Sequence, residues 1–404
     1  MKTLECDAVV VGAGPGGVVM SYLLARSGVQ TILVERHISL DREFRGYFFQ
    51  PLTVQLFEEM GLLPGVLKLP HRKETSFRFY DRDKLLFSVN MRGGGYGLNL
   101  PQPPLLQFFI DESSAYPGFN YFGGTQAVGL LKEKGKVAGI QVNDVQGEEW
   151  QIRSRLVIGA DGRHSAVRRL ADIKLLEAQS QFDFIWFTIP SPGKQEAPKV
   201  QVEDQGILIY VPMYPNRVQL GWVIPKRTYP AVKKRGIESF REEITAVAPD
   251  LKPILSQHLT GFHQCSVLDI VSNQAMEWVR DGLVLIGDAA HTSSPFSGQG
   301  NSLAIQDAVA AHPIVMEALK QSETVLPQSL LAPYESLRRP AVTRIQRLQA
   351  NQSRLLAMNH PVLIHFRQRI LPWISRTPLF RRMERMITQG VHPLQVETSY
   401  FTDH

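Results

Sequence analysis

The sequence predicts an α/β chain with α+β elements: a buried parallel sheet, an inserted mostly antiparallel β-sheet, and a helical C-terminus. Three observations predict it. The run Asp7-Ala-Val-Val-Val-Gly12 is apolar without alternation, as expected of a parallel strand covered on both faces. Between about 176 and 270 the chain changes to strand-like runs separated by proline-bearing turns. Beyond Gly287 it reads as helical to its end.

The elements follow in order. After the first strand comes a glycine cluster, then a helix-like segment from Gly16 to Ser27 with Gly28 as its stop. Gln30 to Glu35 is a second buried strand, so strand, turn, helix and strand fit within about 30 residues as a βαβ unit. A second helix is expected from Phe44 to Gly61, where Leu52, Leu56 and Met60 form an apolar stripe. Residues 76–100 alternate aromatic and polar positions around glycines, which predicts strands and turns. Val128 to Val142 reads as a hairpin about Lys134-Gly135, and Leu156 to Gly159 as another strand. The inserted sheet is expected from Phe184–Ile189, Gly206–Val211 and Arg217–Val223. Leu283-Val-Leu-Ile-Gly287 restores the buried-strand pattern, and the helices after it are expected to break at Pro313, Pro340, Pro361 and Pro372.

With 404 residues the chain can bury a large core in two or three domains. It is 44% hydrophobic and 20% charged, ordinary for a globular protein. Apolar residues begin only at Ala8, behind Glu5 and Asp7, which does not match a signal peptide. No stretch approaches the roughly 18 apolar residues of a membrane span. Cys6 and Cys265 supply neither a disulfide framework nor a zinc spacing and read as reduced thiols of a cytoplasmic protein.

The net charge is +6, with Arg367, Arg369, Arg376, Arg381, Arg382 and Arg385 set against Glu384 alone in the tail. Leu363, Phe366, Ile370, Trp373, Ile374, Leu379 and Met383 interleave with them, as in an amphipathic helix. Such a helix either rests on an anionic membrane or caps the core with its basic face in solvent; the cap is the expectation. No nucleic-acid-recognition motif accompanies the charge.

Gly12-Ala13-Gly14-Pro15-Gly16-Gly17 satisfies GxGxxG between a strand and a helix. Gly12 permits the tight turn, Gly14 lets backbone approach a diphosphate, and Gly17 lets helix and strand pack closely. Pro15 and Gly16 start the helix, whose N–H groups and positive dipole end favour a phosphate. Glu35, eighteen residues after Gly17 and beside Arg36, suits the hydroxyls of an adenosine ribose. This Rossmann-type unit points to an ADP-containing dinucleotide, either NAD or FAD.

Two later motifs bear on that choice. Gly159-Ala-Asp161-Gly162-Arg-His-Ser165-Ala-Val-Arg168 and Gly287-Asp288-Ala-Ala-His-Thr-Ser-Ser-Pro295-Phe-Ser-Gly298-Gln-Gly300-Asn301 lie in order after the glycine turn. With Arg45-Gly46 and with Tyr334-Glu335, Arg338, Arg339 and Pro340, they resemble class A, single-component FAD-dependent monooxygenases similar to para-hydroxybenzoate hydroxylase. The resemblance spans about residues 5–350. It implies a discontinuous FAD-binding domain (1–175 plus 271–350), a substrate-binding sheet (176–270) helped by part of 71–110, and a helical tail (351–404).

The resemblance gives Asp161 contacts to FAD and to the nicotinamide, Arg45 an approach to the pyrophosphate, and Pro295 a place on the reacting face of the flavin. Asp161-Gly162 is also a turn former in its own right. Asp288, at the end of a buried strand, suits a ribityl hydroxyl, a group NAD lacks. If Gly300 and Asn301 begin a helix, their N–H groups favour negative charge on the reduced flavin, with Gly298 leaving the loop slim. Where the family often carries an arginine, this chain offers Gln102 or Gln107.

By resemblance, NADH or NADPH binds transiently and reduces the flavin, because only one GxGxxG is present. O₂ then forms a C4a-hydroperoxide that hydroxylates or epoxidises an aromatic, lipophilic or otherwise electron-rich small molecule. The alternatives are a reductase of isoprenoid double bonds, similar to geranylgeranyl reductases, and a catalytically silent FAD-binding protein. No metal-ligand cluster is expected, and His291 reads as structural. Tyr210, Met213, Tyr214 and Trp222 are candidates to line the substrate pocket, although aromatic residues in strands equally pack cores. A monomer or a homodimer is expected.

Overall fold

The computed structural model describes residues 2–41, 47–91, 95–176, 178, 180–193, 196–295, 298–356 and 361–402, excluding the side chains of 356, 361–363 and 366–367. Arg45, with Phe44 and Gly46, falls outside the described residues, as do the side chains of Leu363, Phe366 and Arg367.

Among the described residues the first sheet has eight strands. Its parallel part runs in the order Leu283–Leu285, Glu149–Gly159, Thr3–Val11, Thr31–Glu35 and Phe119–Gly123. The apolar runs form these strands because helices cover both faces; Val9, Val10, Leu33, Val157 and Ile158 are fully buried. Register matters more for function. Val11 pairs with Gly159 and Val34, and Gly159 with Leu285. The strands therefore end together, and the Gly12 turn, Asp161, Asp288 and Glu35 emerge along one carboxyl edge, where ligands bind in such sheets.

Helix Pro15–Arg26 starts with proline in its first turn, which sets φ and loses no hydrogen bond. It packs on helix Gly300–Gln321. The hairpin Gln126–Glu133 and Lys136–Asn143 adds antiparallel strands to the same sheet.

Among the described residues the second sheet has seven strands, in the order Ser266–Leu268, Phe182–Pro190, Arg217–Pro225, Gly206–Met213, Lys199–Glu203, Ser76–Asp81 and Lys84–Asn90. Every pairing is antiparallel except that of Lys199–Glu203 with Ser76–Asp81. Two strands thus come from the 71–110 region. Side chains alternate between faces. One face packs Phe187, Leu208, Leu220 and Trp222 against helices Tyr229–Val247 and Lys252–His258. The other carries Phe79, Phe184, Ile209 and Val223, clustered with Phe380 and Ile387 of helix Pro378–Gln389.

Two expectations need correction. The helix expected over 44–61 is Pro51–Glu59, preceded by a short strand Phe48–Phe49; Pro51 fixes its first turn. Pro313, Pro340 and Pro372 lie inside helices Gly300–Gln321, Gln328–Leu356 and Pro361–Ile374 instead of ending them. A proline costs a helix about 3 kcal/mol, which burial can offset: around Pro313, Ala310, Ala311 and Val315 are all buried.

The tail does not trail away. Helix Pro378–Gln389 packs Phe380 on Phe87, with ring centroids 5.3 Å apart. Glu384 Oε1 accepts the Asn90 N–H at 2.7 Å. Near the end, Thr402 N–H donates to the Arg26 carbonyl at 3.0 Å, and the Arg26 guanidinium lies 4.2 Å from the Phe401 ring centroid. Phe380, Met383 and Ile387 of this helix pack inside the molecule, while Arg381, Arg382 and Arg385 face solvent. Trp373 and Leu379 remain exposed at 67% and 73%. Among the described residues no helix is long and apolar enough to cross a membrane.

Candidate active site

A cavity of about 680 Å³ runs from the glycine turn, past the carboxyl edge of the first sheet, to the second sheet. Gly12, Gly14, Pro15, Gly16, Glu35 and Arg36 line one end. Asp161, Asp288, Pro295, Gly298, Gly300, Asn301 and Gln102 line the middle. Phe77, Phe79, Trp186, Ile209, Val211, Gln219 and Leu268 form the sheet wall.

The glycines divide by role. Gly12 has φ +104°, and a Cβ on Gly17 would sit 1.9 Å from the Gly12 carbonyl oxygen, so the fold itself requires both. Gly14 is different: its φ is −79° and an added Cβ would meet only the Ala160 carbonyl oxygen, at 3.9 Å. Nothing among the described residues asks for glycine there, and the open space before it is what a diphosphate needs. Glu35 is buried and ties the turn to the following loop, its Oε2 accepting the Ala13 N–H at 2.9 Å and its Oε1 the His37 N–H at 3.0 Å. Arg36 Nε donates to His37 Nε2 at 2.9 Å on the cavity rim.

Asp161 supports the short helix Ala166–Leu170, whose N-cap is Ser165, with Oδ2 accepting the N–H groups of Ala166 at 2.6 Å and Val167 at 3.1 Å. Burial raises its pKa against the opposing pull of Ser165 and those amides. Its buried Oδ1 has no hydrogen-bond partner among the described residues. Asp288 sits in the turn Gly287–Ala289, 3.7 Å from the Arg163 guanidinium.

Behind that turn lies a buried constellation that sequence spacing did not identify. Asp307 accepts from Gly287 N–H at 2.9 Å, lies 2.6 Å from His291 Nε2, and accepts from Arg338 Nε at 2.7 Å. Burial alone would raise the Asp307 carboxyl, but the charges of His291 and Arg338 outweigh it and hold it below its ordinary value. His291 thus serves the turn from behind and does not border the cavity.

Helix Gly300–Gln321 begins at Gly300 and Asn301, with no acidic residue in its first turn, so its positive end faces the cavity. Gln102 Nε2 donates to Asn301 Oδ1 at 2.9 Å. Gln107 instead pairs with Asp111 on an exposed helix face. Pro295 is held from both sides: its carbonyl accepts the Gly298 N–H at 3.0 Å, and the preceding Ser294 N–H donates to Gln349 Oε1 at 3.0 Å. The terminal helix completes the wall with Ile387, whose carbonyl accepts from Gln299 Nε2 at 2.7 Å.

The four aromatic and sulfur candidates do not border this cavity. Tyr210 and Trp222 point to the opposite face, into the core beneath helix Tyr229–Val247. Strand alternation is the reason: Ile209 and Val211, the neighbours of Tyr210, face the cavity instead. Met213 ends its strand beyond Val211, and Tyr214 lies half-exposed in the following turn. Gln219, Gln349, Gln352 and Asp307 were not singled out from sequence; glutamines at 346, 349 and 352 on one helix were the available signal.

The sequence profile of the FAD binding domain matches residues 5–349. The chain is 36% identical to 6-methylpretetramide 4-monooxygenase of Streptomyces rimosus, across 98% of this chain and 95% of that one. It is 26% identical to digeranylgeranylglycerophospholipid reductase 2 of Methanococcoides burtonii, across 83% and 80%. The crystal structure of p-nitrophenol 4-monooxygenase from Pseudomonas putida shares the fold, with a TM-score of 0.82 at 17% identity over 97% of this chain and 100% of that one.

Proposed function

The chain belongs to the single-component FAD-dependent monooxygenases, and on that premise we propose that it hydroxylates a polycyclic aromatic compound with NAD(P)H and O₂. One observation carries the proposal: the cavity joins a dinucleotide cradle to an apolar sheet wall that bears no charged side chain among the described residues. The 6-methylpretetramide 4-monooxygenase relative, matched nearly end to end, supports a multi-ring substrate.

The residues present fit FAD. The open space at Gly14, the partnerless buried Oδ1 of Asp161 and the helix N-terminus at Gly300 all ask for a ligand of that chemistry. The turn Gly12–Gly17 and Glu35 would hold its ADP part; Asp288, Gln102 and the segment Gly298–Asn301 would hold the rest. Bound FAD supplies hydride acceptance from NAD(P)H and the activation of O₂. The overall reaction consumes one aromatic C–H, O₂, NAD(P)H and a proton, and yields the phenol, NAD(P)⁺ and water.

The protein contributes binding, orientation and dryness. The first turn of helix Gly300–Gln321 favours negative charge beside it. Gln349 and Gly298 fix the backbone around Pro295. Phe79, Trp186, Ile209 and Ile387 exclude water from the substrate end. The same reading has the enzyme work in the cytoplasm; burial pushes the thiols of Cys6 and Cys265 up to about 12, which keeps them unreactive.

The test is a panel of polycyclic phenols assayed for stimulated NAD(P)H oxidation, oxygen uptake and a product one oxygen heavier. Anaerobic saturation of an isoprenoid, with no oxygen demand, would overturn the proposal in favour of a reductase.

A further inference from the structure

Helix Gln328–Leu356 carries glutamines at 346, 349 and 352, a spacing that sets them along one ridge. The protein uses the first two. Gln346 Nε2 donates to the carbonyls of Thr292 at 2.7 Å and Asn273 at 3.2 Å. Gln349 Oε1 accepts from Ser294 N–H at 3.0 Å. The third, Gln352, lines the cavity, and its buried Oε1 has no hydrogen-bond partner among the described residues.

A second amide waits on the sheet wall of the same cavity. Gln219 is 3% exposed, and its buried Nε2 also has no partner among the described residues. It lies across from Val211 and Thr188, on the face that carries Trp186 and Ile209. Leaving a buried amide unpaired costs about tenfold or more in an equilibrium constant. Two in one cavity indicate a ligand that pairs with both.

The charged cavity residues, Glu35, Arg36, Asp161, Arg163, Arg169 and Asp288 among them, line the dinucleotide end and the middle, and none lies on the sheet wall. An ionised substrate group at the sheet wall would therefore lack a counter-charge among the described residues. We propose that Gln219 and Gln352 are the polar contacts of the substrate, and that the substrate is a neutral polycyclic aromatic bearing both a carbonyl and a phenolic hydroxyl. Gln219 donates to the carbonyl and Gln352 accepts from the hydroxyl. This rests on the aromatic-monooxygenase reading of the cavity.

The test uses FAD-loaded protein and two probes of matched ring skeleton, dihydroxyanthraquinone and anthracene, with Kd read from the flavin absorption change. Wild type should bind dihydroxyanthraquinone at least about tenfold more tightly than anthracene. Gln219→Leu and Gln352→Leu should each weaken dihydroxyanthraquinone about tenfold and leave anthracene unchanged or tighter. If Gln219→Leu fails to fold, Gln219→Met supplies the same deletion with an unbranched side chain. Variants that keep the wild-type preference overturn the glutamine assignment alone. Wild type that binds neither probe overturns the aromatic reading and this assignment with it.

Discussion

Gly14→Ala separates the cofactor from the fold. The φ of −79° at Gly14 is open to any residue, and among the described residues the new methyl would meet only the Ala160 carbonyl oxygen, at 3.9 Å. Its cost to the apoprotein is confined to replacing glycine at a helix N-cap, about 1 kcal/mol or less. The methyl does occupy the space where a diphosphate must reach the backbone. Losing one charge-assisted hydrogen bond costs about 1.5–3 kcal/mol, so the Kd for FAD should rise about 10- to 150-fold. Gly17→Ala is the internal contrast. There a Cβ would lie 1.9 Å from the Gly12 carbonyl oxygen, so the backbone itself has to move. Overpacking of that kind costs about 1–3 kcal/mol or more and should lower the apoprotein Tm. The assay is FAD titration of apoprotein by flavin fluorescence, paired with apoprotein thermal melts. Wild-type FAD affinity in Gly14→Ala, or an apoprotein destabilised as much as Gly17→Ala, would refute the reasoning.

Three further perturbations follow from other parts of the molecule. Asp307→Ala leaves Arg338 buried without its counter-charge and should cost about 3–5 kcal/mol; because the Asp307 carboxyl is held low, its contribution is present at neutral pH and lost only as pH falls through that depressed value. Acid denaturation of Asp307→Ala beside wild type checks both, and parallel curves would contradict them. Gln349→Leu frees the Ser294 N–H before Pro295 and should lower kcat about tenfold with little change in FAD content, seen by steady-state kinetics. At Glu74, burial raises the carboxyl to about 7 although Arg72, 2.6 Å away, pulls it down. A raised carboxyl makes the fold more stable below about 4.5 and less so as pH climbs to about 7, so Glu74→Gln should gain stability over wild type at pH 8 but not at pH 4, measured by melts at both values.

The dinucleotide end of the cavity was legible because its constraints are local. A tight turn, a buried strand and a helix start each leave a mark within a few residues, so Gly12–Gly17, Glu35, Asp288 and the Gly300 helix start could be placed from sequence. The substrate end was not legible in the same way. Both faces of the second sheet are covered, so Ile209 and Tyr210 are equally apolar and no polar alternation says which faces the cavity. Asp307, Arg338 and Gly287 meet only through tertiary packing, and no local spacing announces them. Pro313 misled for a related reason: helix propensity is local, whereas the burial that overrides it is not.

The terminal helix shows how a partner is decided by what an apolar face meets. Its pattern suits either a membrane surface or an internal wall, since both ask for apolar residues opposite arginines. Here Phe380 meets Phe87, buried Glu384 receives the Asn90 N–H, and Ile387 borders the cavity. A buried glutamate at the centre of the apolar stripe suits a protein wall that offers an N–H and would be costly against lipid. Through Ile387 and the Gln299 bond to its carbonyl, the last helix of the chain is tied to the residue just before the Gly300 helix start. Ile387 and that bond thus tie helix Pro378–Gln389 both to the cavity wall and to the start of helix Gly300–Gln321.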